Sequence, residues 1–483
     1  MNKNIKRLLG ATLVNTLALS SLFMCSSTLA ANDKDKLNVL MIAIDDMNNW
    51  PTSWGGKAIT PNIDRLAAEG VQFANAHAAV PACNPSRVAI LTGLRPEVTG
   101  QYTNKGNFRK LKNNKDLVTL PQLMRKNGYE AVAAGKIFHH PHGMGAKANP
   151  MSDPISWDYQ GRTRTGAAGH KMFLDKNNHA AWLNGASEFN GLPITDYIRK
   201  FGVWGVSNET TEQTGDWQTA EYCADYMKKA SDKPFFLACG ISRPHSPQIA
   251  PKKYFDLYPI DEIELPTFFA SDMDDIAQQG KTNFSSGFAQ KVMSDKDEWK
   301  RAVQGYLASV SFADAVIGRM LKGLEESPHK DNTLVVLWSD HGFHLGTKQR
   351  WEKFSLWNDA THSPFIIKMP NGKASKITKP VSLIDIYPTL VDVLQLENAP
   401  KLSGNSLTPL MTNPHINWDK PAIITYNKGN SSIRLDNWNY IRRSRGQEEL
   451  YDLATDPNEY TNLAEQKKYK DVIKRLKAYL PHE

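Results

Sequence analysis

The chain has 483 residues, 41% hydrophobic and 22% charged, which excludes a disordered or fibrous protein and leaves room for one large domain with a smaller one. Its formal net charge of +8 fits an anionic partner, because long-range fields concentrate opposite charges, and it fits an ordinary basic surface equally well.

Lys3, Lys6 and Arg7 form a basic n-region, residues 8–24 are mostly apolar, and Thr28-Leu29-Ala30 supplies the small-residue ending that a signal peptidase cuts after. Residues 1–30 therefore read as a signal peptide, and the mature chain as periplasmic or secreted. Phe23 and Met24 before Cys25 are too bulky for the usual lipobox, so a lipoprotein anchor is the less favoured alternative. The apolar run is short for a bilayer span and no later run is longer, so no stable membrane span is expected.

Residues 37–44 are a mostly apolar run, of the kind buried on both faces of a parallel sheet, ending in Asp45-Asp46. Residues 61–70 read as a helix, with Thr60 as N-cap and Pro61 at its first position. The alternation continues with a helix at 120–127, a strand at 129–134, a helix at 216–230 and a strand at 234–239. A long amphipathic helix follows at 299–324, with Asp314 the polar exception on its apolar face, and then a strand at 333–338 running into Ser339-Asp340-His341. Such alternation predicts a doubly wound α/β sheet, in which ligands bind beyond the carboxyl ends of the strands. Asp45-Asp46 and Asp340-His341 would meet at that rim. Residues 140–215 and 268–297 break the pattern and read as long surface insertions. From about 419 the chain turns to short strands (422–426, 432–435, 440–443) and a basic helix (466–480), a small α+β subdomain after a domain spanning 31–418.

Three cysteines remain after residue 30. Cys223 and Cys239 read as small core residues, with a bridge between them the alternative an oxidising compartment allows. Cys83 opens the run Cys83-Asn84-Pro85-Ser86-Arg87-Val88-Ala89-Ile90-Leu91-Thr92-Gly93. Pro85 suits the first turn of a helix and Gly93 its close, which sets Cys83 where free backbone N–H groups favour an anion. Chemistry alone allows a thiolate nucleophile there, helped by Arg87, or simply a buried cysteine.

The run resembles the signature of the type I, formylglycine-dependent sulfatases, Cys-x-Pro-Ser-Arg followed by x-x-x-Leu-Thr-Gly, at every specified position. The resemblance covers most of the chain and extends to Glu449-Leu450-Tyr451-Asp452-Leu453 and Asn462-Leu463-Ala464. It implies an alkaline-phosphatase-like α/β sandwich on a large mixed, mostly parallel sheet, with the small C-terminal subdomain. It implies that a maturation enzyme reading Cys83, Pro85 and Arg87 oxidises Cys83 to formylglycine. It implies one Ca²⁺ held by Asp45, Asp46, Asp340, His341 and residue 83; the Asp340-His341 version of the second pair is similar to iduronate-2-sulfatase and choline-sulfatase members. In Gly135-Lys136-Ile137-Phe138-His139, Lys136 would clamp sulfate and His139 would serve the second hydroxyl of the hydrated aldehyde. His140 and His142 compete with His139 for that assignment. In Pro244-His245-Ser246-Pro247, His245 would be the general acid. In Trp351-Glu352-Lys353, Lys353 would be the second clamp, with Lys348 its competitor. Arg243 and His344 stay open between substrate contact and a surface or packing role.

The expected substrate is a sulfated carbohydrate such as carrageenan or a glycosaminoglycan, and nucleic acid is not expected as a partner. Trp157, Arg162, Arg164, Trp182 and Trp204 in the first insertion are candidates for sugar contacts, or for packing. A phosphonate or phosphodiester hydrolase of the same superfamily, and an inactive binder of sulfated glycans, are the alternatives.

Overall fold

A computed structural model describes residues 36–139, 152–161, 188–189, 192–193, 204–207, 209–229, 231, 233–277 and 285–481. Its centre is an eight-stranded sheet. In chain order the strands are β1 (Asn38–Asp45), β2 (Val71–Phe73), β3 (Glu130–Gly135), β4 (Tyr159–Gln160), β5 (Phe235–Pro244), β6 (Thr333–Ser339), β7 (Phe365–Lys368) and β8 (Ser375–Ile377). They lie side by side in the order β8-β2-β7-β6-β1-β5-β3-β4. β6, β1, β5, β3 and β4 are mutually parallel, and β7 runs antiparallel to β6 and β2, so the sheet is mixed and mostly parallel.

Every residue of β1 is buried, and the alternate residues of its apolar stretch Val39–Ile44 feed two separate cores. Leu40, Ile42 and Ile44 pack with α1 (Pro61–Glu69), α4 (Gly215–Met227) and α5 (Lys296–Glu325). Val39, Met41 and Ala43 face α2 (Cys83–Thr92), α3 (Leu120–Lys126) and α6 (Ile386–Leu394) on the other side. The result is an α/β sandwich whose strand ends converge on one rim. Beyond it stands a four-stranded antiparallel sheet, β9 (Ala422–Thr425), β10 (Ser431–Leu435), β11 (Trp438–Arg442) and β12 (Glu448–Asp452), packed on α7 (Lys470–Lys477).

Several expectations are corrected. Cys223 and Cys239 form a disulfide that joins α4 to β5, their Cα atoms 6.5 Å apart. Thr60 precedes α1 without a side-chain cap; Asp314 reaches across from α5 and accepts the N–H groups of Asn62 and Ile63 instead. The first insertion is more than surface: Trp157 and Trp204 are both core residues, so neither is open to a sugar ring. β4 within it extends the main sheet, and Trp204–Ser207 pairs with Gln248–Pro251. Arg162, Arg164 and Trp182 lie outside the described residues.

Candidate active site

The rim is built by register. β1 and β6 run parallel with Ile44 opposite Ser339, so Asp45 and Asp340 leave the sheet side by side. The backbone then turns at Asp46 (φ +66°), whose N–H donates to Asp340 Oδ1 at 3.1 Å. Tyr306 of α5 donates to the Asp46 carbonyl at 2.8 Å, and Ser339 Oγ accepts from the Met47 N–H at 2.9 Å. The second strand end thereby fixes the direction of the first.

α2 points its N-terminus at this rim. Cys83 begins the helix and Gly93 ends it in the left-handed region (φ +66°), as the run predicts. Ser86 Oγ donates to the Asp340 carbonyl at 2.5 Å. Arg87 is fully buried beneath Cys83, its Nε 2.7 Å from Asp340 Oδ2 and its Nη2 3.3 Å from Asp45 Oδ1. Cys83 Sγ sits 3.3 Å from His341 Nε2 and 3.8 Å from Asp46 Oδ1, and His139 is hydrogen-bonded to it.

The two lysines arrive from different elements. Lys136 follows β3, where Gly135 (φ +68°) and Gly240 let β3 and β5 approach closely: a Cβ on Gly135 would lie 1.9 Å from the Gly240 carbonyl oxygen. Lys136 Nζ pairs with Asp45 Oδ2. Lys353 Nζ is 2.7 Å from both oxygens of Asp46. It is carried by a loop in which Lys348, Gln349, Glu352 and Phe354 all have positive φ, and such backbone persists only where surrounding contacts over-determine it.

His245 follows β5. Asp216 of α4 accepts the N–H groups of Ser242 and Arg243 at 2.9 Å each and so anchors the end of that strand. The Arg243–Pro244 and Ser246–Pro247 peptides are both cis. His245 Nδ1 donates to the Ser246 carbonyl at 2.6 Å, which turns Nε2 toward Asp46 Oδ2, 3.8 Å away. With Asn104, Glu352, Lys353, Phe354 and Tyr426 it lines an open pocket of about 340 Å³.

Every residue assigned to catalysis or metal binding thus belongs to one cluster. The competitors fall elsewhere. Lys348 Nζ is buried on Asp272 Oδ1 (2.7 Å) and the Glu459 carbonyl (2.6 Å). His344 is a packing residue between Thr347 and Ser355. Arg243 is buried and donates to the Ile249 carbonyl at 3.0 Å, so it shapes the turn around His245. His140 and His142 lie outside the described residues. The sequence reading misses Asp216, Tyr306 and the pocket walls Asn104, Glu352 and Tyr426. These gain their place only from tertiary contacts; Ser86 stood inside the quoted run without a role.

Three buried carboxylates face three buried cations. Burial raises an acid, yet Lys136 beside Asp45 holds its carboxyl well below the usual range. Asp340 is pushed up to about 6 by burial, with Arg87 and His341 opposing. Burial would raise the Cys83 thiol, but Lys353, Lys136 and His341 outweigh it and bring it well below the ordinary value. Burial would lower His341, but the charges of Asp340 and Cys83 carry it up to about 9; Asp46 likewise raises His245 against its burial.

The donor set also suits a divalent cation. Single ligand atoms of Asp45, Cys83, Asp340 and His341 lie within 4.8 Å of one another, with Asp46 grouped against Cys83 and His245. His341 Nδ1 donates to the Gly342 carbonyl at 2.9 Å, so Nε2 is the ring atom facing the carboxylates and would ligate a metal once the ion displaces its proton. Three carboxylates favour a hard ion of the Ca²⁺ or Mg²⁺ kind, and the imidazole is the unusual member.

A family model described as Sulfatase matches residues 37–396. The chain belongs to the sulfatase family. It is a sulfuric ester hydrolase. A second model, N-sulphoglucosamine sulphohydrolase C-terminal, matches residues 346–483 of this sulfatase. It is 39% identical over 456 residues to a sulfatase of Formosa agariphila, covering 92% of this chain and 87% of that protein. It is 29% identical over 414 residues to human iduronate 2-sulfatase, covering 78% and 72% of the two chains. Two solved structures share the fold: a complex with D-glucosamine-2-N,6-O-disulfate (TM-score 0.68, 22% identity, 92% and 96% coverage) and the phosphonate monoester hydrolase of Agrobacterium radiobacter (0.69, 21%, 91% and 93%).

Proposed function

We propose that this sulfatase removes sulfate from a sulfated carbohydrate, with position 83, matured from cysteine to formylglycine by a dedicated enzyme, as its nucleophile. The observation that carries the reading is the position of Cys83 Sγ, at a helix N-terminus, 3.3 Å from His341 Nε2, with Lys136 paired to Asp45 and Lys353 to Asp46. When oxidised and hydrated, position 83 would supply two hydroxyls on one carbon: one would bond sulfur, giving its proton to a carboxylate of the rim as the ester S–O bond breaks, and the other would release sulfate while the aldehyde re-forms. Asp45, Asp46, Asp340 and His341 would hold Ca²⁺, which supplies fixed positive charge where the sulfate oxygens gather. Lys136 and Lys353 add cationic charge to the same place and stabilise the charge that grows on those oxygens. His245, its Nδ1 proton committed to Ser246, presents Nε2–H to the leaving oxygen as general acid. His139 accepts the proton of the second hydroxyl.

The glycan reading is supported by the glucosamine disulfate that one structural neighbour binds and by the name of the human relative. Export, to the periplasm or the medium, is supported by the leader and by the Cys223–Cys239 disulfide, which fits an oxidising compartment. Among the described residues no helix is long and apolar enough to cross a membrane.

Protein from its native host is the material for the test. Mass analysis of the peptide containing residue 83 should show the aldehyde, and aryl sulfate should be hydrolysed far faster than aryl phosphonate. Cys83→Ala should remain folded without turnover. An unmodified thiol in native protein, or a large preference for phosphonate, would end this reading.

A further inference from the structure

A crevice of about 260 Å³ lies where the catalytic domain meets the C-terminal sheet, and its lining includes Glu97, Tyr102, Lys428, Ser431 and Arg442. Two chain segments connect it to the catalytic pocket. Asn104 and Tyr426 line that pocket, and Tyr102 and Lys428, two residues away on each segment, line the crevice. Two residues span at most about 7 Å, so pocket and crevice lie close to one another. Thr425 fastens the two segments together by donating its hydroxyl to Glu97 Oε1 at 2.5 Å.

The same crevice carries an ammonium and a guanidinium, Lys428 and Arg442, and the ring of Tyr102. Two cations and an aromatic face together match a sugar that bears an anion.

We propose that this crevice is a second binding subsite. It holds a neighbouring sugar of the same glycan whose sulfate lies at Cys83. The sulfate or carboxylate of that sugar lies on Lys428 and Arg442, and its ring lies on Tyr102. The inference rests on the carbohydrate reading above and goes beyond it, because it requires a second anionic group along the substrate.

The test compares wild type, Lys428→Ala and Arg442→Gln on 4-nitrophenyl sulfate, which reaches only the catalytic pocket, and on tetrasaccharides from heparin and ι-carrageenan. For whichever tetrasaccharide wild type desulfates, KM should rise about fivefold per cation removed with kcat held, while kinetics on 4-nitrophenyl sulfate stay unchanged. If heparin is the substrate, a carboxyl-reduced tetrasaccharide shows which anion is held: a KM matching the wild-type value on intact heparin assigns sulfate, and a raised KM assigns carboxylate. Lys428 is exposed on a hairpin, so its variant decides the matter even if Arg442→Gln fails to fold. Unchanged KM in the variants overturns the subsite and leaves the sulfatase reading standing. So does a wild type that hydrolyses the aryl sulfate and neither tetrasaccharide. Failure of aldehyde-bearing wild type on both substrate classes overturns the functional reading, and the subsite with it.

Discussion

Five polar contacts converge on the guanidinium of Arg87: the carboxylates of Asp340 and Asp45 and the carbonyls of Ile44, Lys136 and Ile137. No part of it reaches solvent, so it acts on the reaction through the carboxylates it spaces and does not touch substrate. Lysine offers three donors from a single point and does not reproduce this fork. Arg87→Met should cost about 3–5 kcal/mol of folding stability, because two buried carboxylates lose their counter-charge. Arg87→Lys should recover only part of it. Urea unfolding of the purified proteins is the measurement, since the resemblance also gives Arg87 to the maturation enzyme and lost activity alone would not separate the two roles. Coincident unfolding curves for Arg87→Met and wild type would refute the positioning role. At this scale the sequence was informative wherever chemistry lay in short runs: strand-end acids, the Cys83 run, Gly135-Lys136. It was silent on Asp216 and Tyr306, whose partners lie far away in the chain.

Helix α5 shows the same limit at the level of elements. Its apolar face predicts a long buried helix, and Asp314 breaks that face. The explanation lies on α1, whose first turn needs an acceptor that Thr60 does not provide. Burial raises Asp314 to about 6, against the N–H groups of Asn62 and Ile63 that favour its charged form. An acid whose folded value lies above its unfolded value of 3.8 contributes stability in full below that unfolded value. The contribution is lost as pH rises through about 6. Wild type should therefore hold its greatest advantage over Asp314→Asn near pH 4 and lose it by pH 7. Urea midpoints at the two pH values measure this, and an advantage that grows with pH would contradict it. The apolar strands and most of the helices at the rim were legible because their periodicity is local. The antiparallel β7, the edge strand β4 and the inward packing of Trp157 and Trp204 were not, since short segments take their state from the sheet they join.

Over the whole molecule, the C-terminal sheet and the loop that carries Lys353 share one core. Trp357, just beyond that loop, packs with Leu356, Ile424, Ile441 and Tyr451. Its ring lies 5.4, 5.5 and 5.2 Å from the cationic groups of Lys348, Arg350 and Arg443, and its Nε1 donates to Glu449 Oε2 at 3.0 Å. Arg434 of β10 pairs with Glu459 at 3.0 Å and donates to the Leu356 carbonyl. The run at 449–453, which carries no reacting group, therefore stands behind the strained backbone that aims Lys353 at Asp46. If the C-terminal sheet holds that loop in place, the two parts unfold together and stability couples to turnover. Wild type should melt in a single calorimetric transition. Trp357→Ala should lower its stability by about 3–5 kcal/mol, and should lower kcat on 4-nitrophenyl sulfate even at temperatures where the variant is fully folded. Two separated transitions in wild type, or a folded Trp357→Ala with full kcat, would show that the sheet is an appendage and that the Lys353 loop holds its shape alone.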